Sequence, residues 1–284
     1  MKIASNIREL RAALDAHKGK SLGFVPTMGF LHEGHLTLVR RSREENQLTA
    51  ASIFVNPTQF NDPEDLARYP RDLPADLGKL EKEGVDVVFT PTAEELYPKD
   101  TEISINPGHL ENLLCGMSRP GHFRGMLTIV SKLFNLVRPE RAYFGQKDFQ
   151  QFLLISKMVA DLNFPITLRM LPTLREKDGL AMSSRNAKLA PAERRQAPEL
   201  YRSLEMGRDL IDAGMEDALR TVAASMEYLI EHTSFEIDYF SIVNPITLED
   251  LEKVSPSTPY LMAVAAYLGS TRLIDNILHY PPAG

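Results

Sequence analysis

The sequence contains a single cysteine, Cys115, among its 284 residues. One thiol excludes a framework of disulfides and is typical of a protein from a reducing compartment. Long apolar runs are also missing, since the most apolar stretch, Tyr260 to Leu268, falls far short of the ~18 residues that span a bilayer. The opening segment, MKIASNIREL, lacks the apolar core of a secretion signal. These features predict a cytoplasmic protein that does not enter a membrane.

An excess of basic residues is absent as well. The formal net charge is −6 at pH 7, with no compensating basic run, which argues against a nucleic-acid-binding surface. The sequence has neither a G-x-x-x-x-G-K-S/T phosphate loop nor a G-x-G-x-x-G turn, so both familiar nucleotide fingerprints are excluded. What remains is the composition of a globular protein, with 43% apolar and 25% charged residues, in a chain long enough for two domains. We therefore expect an intracellular enzyme.

Strand and helix patterns alternate through the first part of the chain. This alternation predicts a doubly wound α/β fold, a parallel sheet with helices on both faces, over residues 1–174. After a boundary near Leu174, residues 175–284 are predicted to form a smaller C-terminal α+β domain. The predicted strands are 22–25, 50–55, 85–89, 141–144 and 166–171, then 235–243, 260–267 and 272–279. The predicted helices are 5–18, 35–46, 74–83, 121–137 and 149–161, then 192–213 and 217–232, while 62–73 is predicted as a movable loop.

The most informative stretch runs from Ser21 to Leu38, SLGFVPTMGFLHEGHLTL. A short buried strand leads through a loop into a helix, and such a loop commonly binds phosphate, because free backbone N–H groups and the helix dipole point to it. His32 and His35 reach the same place, and Gly34 between them lets a ligand approach the backbone. A surface position, a helix cap or half of a metal site are the structural alternatives. Zinc is disfavoured, because no third ligand lies at metal spacing.

Two further segments carry groups that suit anions. Gly145-Gln146-Lys147-Asp148 places a lysine at a strand-to-helix turn, although a lysine in a turn is more often a solvated surface charge. Segment 178–186, DGLAMSSRN, combines two serine hydroxyls with an arginine, which suits phosphate oxygens but also suits a helix cap beside a surface arginine. Parallel strands end at one edge of a sheet, so together with the histidines these groups predict a cationic cradle for a triphosphate.

Several segments together carry a family resemblance. With them the chain resembles the pantoate–β-alanine ligases, members of the nucleotidylyltransferase group with a His-x-Gly-His signature. The resemblance covers nearly the whole chain, and the sum of the motifs is specific although each alone is not. The matching segments are VPTMGFLHEGH (25–35), SIFVNPTQF (52–60), DLARYPRDL (65–73), RPGHFRGMLTIVSKLFNLVRP (119–139), FGQKDFQQ (144–151), KDGLAMSSRN (177–186) and RLIDN (272–276).

This resemblance implies an ATP-dependent condensation of (R)-pantoate with β-alanine, giving pantothenate, AMP and pyrophosphate. It also implies a Rossmann-like domain with a smaller C-terminal domain, and a homodimer in the cytosol. Because a carboxylate is a poor electrophile, pantoate first attacks the α-phosphorus of ATP, and the amine then displaces AMP from pantoyl adenylate. The protein needs no nucleophile of its own and supplies positioning and charge stabilisation. Mg²⁺ is expected to accompany ATP, held mainly by phosphate oxygens and waters.

The resemblance further implies catalytic and nucleotide-binding residues. His35 is implied as the catalytic histidine that stabilises charge on the departing phosphates, with His32 beside it and Lys147 as a third catalytic group. Leu174 is implied to contact the nucleotide through its backbone. The full set of implied nucleotide contacts is Met28, Gly29, Phe30, Leu31, His32, Glu33, Gly34, His35, Gly145, Gln146, Lys147, Asp148, Leu174, Met182, Ser183, Ser184 and Arg185.

The acceptor site and the metal site are implied in the same way. Gln59 and Gln151 match the glutamines that bind pantoate, and Gln59 also matches the β-alanine position. A neutral amide is suitable there, because an arginine paired with the carboxylate would make it a weaker nucleophile. Asp76 is a candidate contact for Mg²⁺, and the 61–73 loop is a candidate lid that shields the acyl adenylate from water.

Two rival functions remain open at the level of sequence. The first is another nucleotidylyltransferase, which transfers AMP to a phosphate acceptor and produces a stable dinucleotide. Its acceptor pocket would favour arginine or lysine over Gln59 and Gln151. The second is a non-catalytic nucleotide sensor or an RNA-binding relative of the aminoacyl-tRNA synthetases, against which the acidic balance argues.

Overall fold

A computed structural model describes residues 1–281, and within them a six-stranded parallel sheet dominates the N-terminal part of the chain. Its spatial order is β1-β4-β3-β2-β5-β6, and each pair of neighbours is parallel. The predicted doubly wound parallel sheet is thus confirmed. The strands are β1 (Lys2–Ala4), β2 (Leu22–Thr27), β3 (Leu48–Ile53), β4 (Val87–Phe89), β5 (Arg141–Gly145) and β6 (Thr167–Leu171).

The strand order changes direction at β2. Strands β3 and β4 follow β2 on one side, whereas β5 and β6 lie on its other side. The register places Leu22 opposite Leu48 of β3, and Gly23 opposite Arg141 of β5. In open α/β sheets, ligands bind beyond the carboxyl ends of the strands at such a reversal, because the two connecting segments leave in opposite directions there. The fold therefore directs attention to the segments that follow β2 and β5.

Four of the eight helices that the structure describes in the N-terminal part, α1, α3, α4 and α5, begin at a capping side chain. Asn6 accepts a hydrogen bond from the backbone N–H of Glu9, and Asp72 accepts one from that of Ala75, which satisfies donors that have no partner within the helix. The helices are α1 (Ile7–Asp15), α2 (Glu33–Glu45), α3 (Pro63–Ala67), α4 (Leu73–Lys82), α5 (Ala93–Leu96), α6 (Cys115–Ser118), α7 (His122–Val137) and α8 (Phe149–Asp161).

The central strands and α7 bury the apolar side chains of the parallel-sheet core. Phe24 and Val25 of β2 are fully buried, as expected for a strand covered on both faces. Helix α7 buries residues on most of its circumference, including Met126 and Phe134. Each large apolar side chain buried in this way stabilises the fold by about 1.5–3 kcal/mol. The core thus holds the loops at the strand ends on a rigid base.

A three-stranded antiparallel sheet and three helices form the C-terminal part, within the residues that the structure describes. The strand order is β7-β8-β9, and both pairs are antiparallel. Its core contains the buried Leu200, Leu204, Tyr260 and Met262. The elements are α9 (Pro191–Gln196), α10 (Glu199–Asp212), α11 (Ala218–His232), β7 (Glu236–Val243), β8 (Tyr260–Leu268) and β9 (Thr271–His279).

Residue packing divides the chain into two compact units. The larger unit comprises residues 1–111, 119–146 and 150–172, and the smaller comprises 112–118, 147–149 and 173 onward. Lys147, Asp148 and Phe149 therefore group with the C-terminal sheet although they lie inside the predicted 1–174 domain. The domain assignment made from the sequence stays a prediction.

Apart from shifts of a few residues at element ends, the structure differs from the prediction in one C-terminal helix, in the 62–73 loop and in several short elements that were not predicted. Predicted helix 192–213 is two helices, α9 and α10, because Pro198 lies between them and has no N–H to continue the ladder. The predicted 62–73 loop contains the short helix α3, capped by Asp62. Strand β1 and the helices α5 and α6 are missing from the prediction, because elements of three or four residues are too short to show a period. None of the helices within residues 1–281 is both long enough and apolar enough to cross a bilayer.

Candidate functional site

The loop between β2 and α2 is held by one buried carboxylate. Asp76 accepts hydrogen bonds from the backbone N–H groups of Phe30 at 2.6 Å and Leu31 at 2.7 Å, and Asp76 is only 1% exposed. Lys79, one turn further along α4, donates from Nζ to the carbonyl oxygen of Leu31 at 2.6 Å. Helix α4 therefore sets the conformation of the loop that precedes the histidines.

The backbone of this loop explains its glycine. Gly29 has a φ of +83° and Phe30 a φ of +51°, so two successive residues lie in the left-handed region. A Cβ atom built on Gly29 would lie 3.0 Å from Asp76 Oδ2 and 3.0 Å from Ile53 Cγ2. Glycine is the residue that tolerates both the positive φ and the close approach, which brings the backbone of residue 29 against the anchoring carboxylate.

The two predicted histidines are neighbours at the start of α2. Their ring centroids are 4.1 Å apart, and both side chains are half-buried. The backbone N–H of His32 donates to Nδ1 of His35 at 3.3 Å. Because a backbone N–H only donates, Nδ1 of His35 is the acceptor, and the neutral ring carries its proton on Nε2. His35 thus has an N–H donor at Nε2 without needing a positive charge.

Gln59 lies beside this loop, at the end of the segment that follows β3. Its Nε2 donates to Sδ of Met28 at 3.1 Å, and its Oε1 accepts from Nδ2 of Asn56 at 3.1 Å. Gln59 is 6% exposed, so these contacts fix an otherwise flexible side chain. Asn56 is held in turn by Tyr97, whose hydroxyl donates to Oδ1 of Asn56 at 2.9 Å. Burial raises the pKa of Tyr97, and the hydrogen bonds with Thr58 and Asn56 oppose that shift.

Helix α7 supports the backbone of Gln59. The carbonyl oxygen of Gln59 accepts from Nδ1 of His122 at 2.7 Å, while Nε2 of His122 accepts from NH1 of Arg119 at 3.0 Å. A guanidinium only donates, so these contacts assign the His122 proton to Nδ1. At Gly125 a Cβ atom would come within 2.2 Å of the carbonyl oxygen of Thr58. The backbones of α7 and of the 57–59 turn are therefore in direct contact, which restricts the position of Gln59.

The turn after β5 supplies the remaining residues of the larger unit. Gly145 ends β5, and a Cβ atom there would meet no heavy atom within 4 Å. Neither packing nor a positive φ explains this glycine, which leaves the strand end open to a ligand. Gln146 begins a short 3-10 helix, and the half-buried Gln151 lies in the first turn of α8.

The smaller unit contains the other residues that were predicted to bind phosphate. Lys147 is half-buried, and its carbonyl oxygen accepts from Nδ2 of Asn276 at 3.0 Å. The carbonyl oxygen of Leu174 accepts from the backbone N–H of Met182 at 3.0 Å, which closes a hairpin between them. Ser183 caps the 3-10 helix Ser184–Lys188 by accepting from the backbone N–H of Arg185 at 3.2 Å. The helix cap that the sequence offered as an alternative is thus present.

Comparison with known proteins decides the family. Residues 2–278 match the family model described as Pantoate-beta-alanine ligase. The chain is 51% identical over 261 residues to a pantothenate synthetase of Thermosipho melanesiensis, covering 92% of each chain, and 50% identical over 280 residues to that of Thermotoga neapolitana, covering 98% of this chain and 99% of the relative. The chain belongs to the pantoate–β-alanine ligase family. The resemblance found in the sequence motifs is therefore confirmed.

Solved structures of pantoate–β-alanine ligases have the same fold. A pantothenate synthetase from Thermus thermophilus superposes with a TM-score of 0.92 at 45% identity, covering 99% of this chain and 100% of that one. The pantoate-beta-alanine ligase of Francisella tularensis, described as complexed with beta-gamma ATP and beta-alanine, superposes with a TM-score of 0.83 at 35% identity, covering 100% of this chain and 99% of that one. The predicted combination of a parallel sheet and a smaller sheet is thus the architecture of the family.

The structure groups the residues predicted for the ligase site in two sets. The segment Met28–His35, Gln59, Gly145, Gln146, Gln151 and Asp76 belong to the larger unit, and contacts join Met28 to Gln59 and Asp76 to the loop. Lys147, Asp148, Leu174 and the segment Met182–Arg185 belong to the smaller unit. The nucleotide and acceptor roles of both sets stay predictions.

Three supporting residues were missed by the sequence reasoning. Asn56 and His122 fix Gln59, and Asn276 holds Lys147. All three lie inside motif segments that carry the family resemblance, so their positions were marked even though no role was given to them. The sequence did not show which distant residue each of them contacts.

The structure shows Asp76 as an anchor of the loop. Both oxygens of this buried carboxylate accept hydrogen bonds from backbone N–H groups, those of Phe30 and Leu31. Within residues 1–281, no group of three or more His, Cys, Asp or Glu side chains is arranged to hold a metal ion. The contact of Asp76 with Mg²⁺ stays a prediction, which the Asp76→Asn variant tests.

Proposed function

We propose that this chain catalyses the ATP-dependent condensation of (R)-pantoate with β-alanine to pantothenate, releasing AMP and pyrophosphate. The observation that carries the proposal is the loop Met28–His35, which Asp76 anchors at the reversal of the sheet and which brings His35 and Gln59 to the end of β2 and β3. Membership of the family over nearly the whole chain supports it. So does the description of the Francisella tularensis relative as complexed with beta-gamma ATP and beta-alanine.

The chemistry requires two displacements. A carboxylate oxygen of pantoate attacks the α-phosphorus of ATP, the bond from that phosphorus to the bridging oxygen breaks, and pyrophosphate leaves. The β-alanine nitrogen then attacks the acyl carbon of pantoyl adenylate, loses a proton, and expels AMP as the C–O bond breaks. Neither step needs a nucleophile from the protein, so the protein accelerates them by orienting reactants and stabilising charge.

His35 is suited to stabilise the first displacement. Its Nδ1 accepts from the backbone of His32, so the neutral ring carries its proton on Nε2, and we propose that this N–H donates to a phosphate oxygen of bound ATP. The start of α2 adds further N–H groups and the positive end of the helix dipole. We assign His35 the role of donor to the phosphates on which negative charge builds up, with His32 packed against its ring.

Gln59 is suited to hold the pantoate carboxylate without suppressing its reactivity. An amide N–H donates to a carboxylate but adds no positive charge, so the oxygen remains a good nucleophile. Contacts to Met28, Asn56 and His122 hold the side chain and backbone of Gln59 before substrate arrives. Less conformational freedom is then lost on binding. Gln151, at the start of α8, is the second proposed contact to pantoate.

Lys147 and the segment Met182–Arg185 are proposed to hold the triphosphate from the smaller unit. A lysine ammonium, serine hydroxyls and an arginine fork are the donors that phosphate oxygens accept. Mg²⁺ would enter with ATP, held by phosphate oxygens and waters rather than by a cluster of protein carboxylates. A homodimer, a cytosolic location and closure of the 61–73 segment over the adenylate remain parts of the proposal.

The proposal is tested by exchange of radiolabelled pyrophosphate into ATP, with pantoate present and no amine. The wild-type protein is expected to exchange label only when pantoate is added, and to release AMP once β-alanine follows. His35→Gln is expected to slow exchange by about 100-fold or more, the loss typical of removing one charge-stabilising donor. His109→Gln is the matched control, because His109 is exposed in the 3-10 helix 108–112.

The outcomes separate this function from its rival. A folded, ATP-binding protein that shows no pantoate-dependent exchange would contradict the adenylate mechanism. Formation of a stable dinucleotide without AMP would instead identify a nucleotidylyltransferase acting on a phosphate acceptor.

A further inference from the structure

Two adjacent residues of β9 connect the phosphate-binding segments of the smaller unit. Nδ2 of Asn276 donates to the carbonyl oxygen of Lys147 at 3.0 Å, so the turn that carries this lysine is tied to the C-terminal sheet. The backbone N–H of Asn276 donates to Oδ1 of Asp275 at 2.8 Å, which joins the two residues to each other. Successive side chains of a strand point to opposite faces, so neighbouring residues can reach two different segments.

Asp275 reaches the second segment through an ion pair. NH1 and NH2 of Arg175 donate to Oδ2 and Oδ1 of Asp275 at 2.5 Å and 3.0 Å, a bidentate arrangement. The Asp275 side chain is only 2% exposed. Burial raises the pKa of its carboxyl group, and the charges of Arg175 and Lys147 oppose that shift. The positive charges of Arg175 and Lys147 therefore both favour the ionised form of this carboxyl group.

Arg175 belongs to the hairpin that leads into Met182–Arg185. Its NH1 also donates to the carbonyl oxygen of Gly179 at 3.1 Å, and its guanidinium lies 3.3 Å from the centroid of the Tyr201 ring. The turn needs glycine, because Gly179 has a φ of +96°. Backbone bonds from Met182 to Leu174 and from Glu176 to Leu180 close the hairpin. Arg175 thus fixes this hairpin against β9.

We propose that Asp275 and Asn276 are positioning residues that set the spacing between Lys147 and the segment Met182–Arg185. This inference rests on the proposed function, in which both segments hold the triphosphate. Neither residue is required to touch a substrate. Displacement of a reacting group by about 1 Å can slow a reaction by about 100-fold, and transfer at phosphorus depends on positioning more than on covalent chemistry.

The role is specific to one half of the reaction. Formation of pantoyl adenylate needs the triphosphate to be held while pyrophosphate departs. Attack by β-alanine on an adenylate already formed does not. Loss of the spacing is therefore expected to slow the first step and to spare the second, whereas a general loss of stability would affect both.

A second ion pair on β9 provides the matched control. Arg272 donates from Nε and NH2 to Oδ2 of Asp238 at 3.0 Å and 2.7 Å, and NH2 also donates to Ser118 at 3.3 Å. Asp238→Asn removes the same kind of charge from the same sheet as Asp275→Asn. Its contacts lie towards α6 instead of towards the Lys147 turn or the 174–182 hairpin.

The experiment measures the two half-reactions separately in Asn276→Ala, Asp275→Asn and Asp238→Asn. Pantoate-dependent exchange of pyrophosphate into ATP reports the first step. For the second, each variant is incubated with ATP, pantoate and a pyrophosphatase until adenylate has accumulated, and pantothenate formation is timed after β-alanine is added. We expect exchange to fall by about 10- to 100-fold in Asn276→Ala and Asp275→Asn, with the second step within about twofold of wild type. Asp238→Asn is expected to leave both steps near wild type.

The alternatives are distinguishable. Equal loss in both steps, wild-type exchange in Asn276→Ala, or the same selective loss in Asp238→Asn would each overturn the positioning role. If Asn276→Ala and Asp275→Asn fail to fold, Arg175→Lys takes their place, because it keeps the charge and loses the bidentate fork, and the same selective loss is expected. Absence of exchange in the wild-type protein would refute the proposed function itself.

Discussion

Replacement of Asp76 by asparagine tests whether this residue anchors the loop or binds metal. The carboxylate accepts from Phe30 and Leu31 with two different oxygens. Asparagine has one acceptor oxygen, so one backbone N–H would lose its partner and face an NH₂ donor instead. A hydrogen bond to a charged group contributes about 1.5–3 kcal/mol, and a buried unsatisfied donor costs about 1–3 kcal/mol. We therefore expect the free energy of unfolding to fall by about 3 kcal/mol.

The expected loss is large enough for a thermal melt without any ligand. For a domain of 150–250 residues each kcal/mol shifts Tm by about 2–4 °C, so Asp76→Asn should lower Tm by about 6–12 °C. Release of Phe30 and Leu31 should also displace the histidines that follow, and we expect kcat/KM for ATP to fall by about 100-fold. The matched control is Asp72→Asn on the same helix, since Asp72 caps α4 and asparagine caps about equally well.

The metal hypothesis predicts the opposite pattern. A metal-binding aspartate can be replaced with little change in the Tm of the metal-free protein, and its loss raises the Mg²⁺ concentration needed for half-maximal activity. A wild-type Tm together with activity restored at high Mg²⁺ would refute the anchor assigned to Asp76.

Two further predictions concern the core around the site. Gly125→Ala should push the 57–59 turn away from α7, because the new Cβ meets the Thr58 carbonyl oxygen. We expect the free energy of unfolding to fall by about 1–3 kcal/mol and KM for pantoate to rise. Gly78→Ala is the control: its new Cβ has no atom within 4 Å, so it should stabilise the protein by about 0.5–1 kcal/mol. Burial raises the pKa of Tyr143 to about 12 from an ordinary 10.0, so the folded protein keeps a proton that the unfolded chain releases, and the free energy of unfolding should fall as pH rises from 10 to 12. Denaturant titrations across that range should show a smaller fall in Tyr143→Phe, and parallel curves would contradict the assignment.

The sequence by itself predicted most of the secondary structure. Helix α8 has the predicted bounds, and α7 begins one residue after the predicted start. These elements depend on periods of 3.6 or 2 residues and on capping side chains, which act between residues close in the chain. The exceptions were elements of three to five residues and the break between α9 and α10. At that break, Pro198 interrupts a continuous helical pattern of apolar residues.

The motifs also located the candidate site. His32 and His35 lie at the start of α2 after a strand, as the Ser21 to Leu38 segment predicts, because a strand, a loop and a helix N-terminus are local features. The loop Met28–His35 and Gln59 were named together from motif matches, and the contact of Met28 with Gln59 now joins them. Their substrate contacts remain proposals.

Only the tertiary structure decided which residues support these groups. Asp76 reaches the loop across 46 residues, His122 reaches Gln59 across 63, and Asn276 reaches Lys147 across 129. Such contacts have no period in the sequence, because their geometry depends on strand order and on the packing of whole helices. From the neighbouring sequence alone, Asp76 and Asn276 would each be predicted to be ordinary surface residues. Folding of each unit brings these residues beside their partners and fixes the loop, the glutamine and the lysine to which the proposed function gives roles.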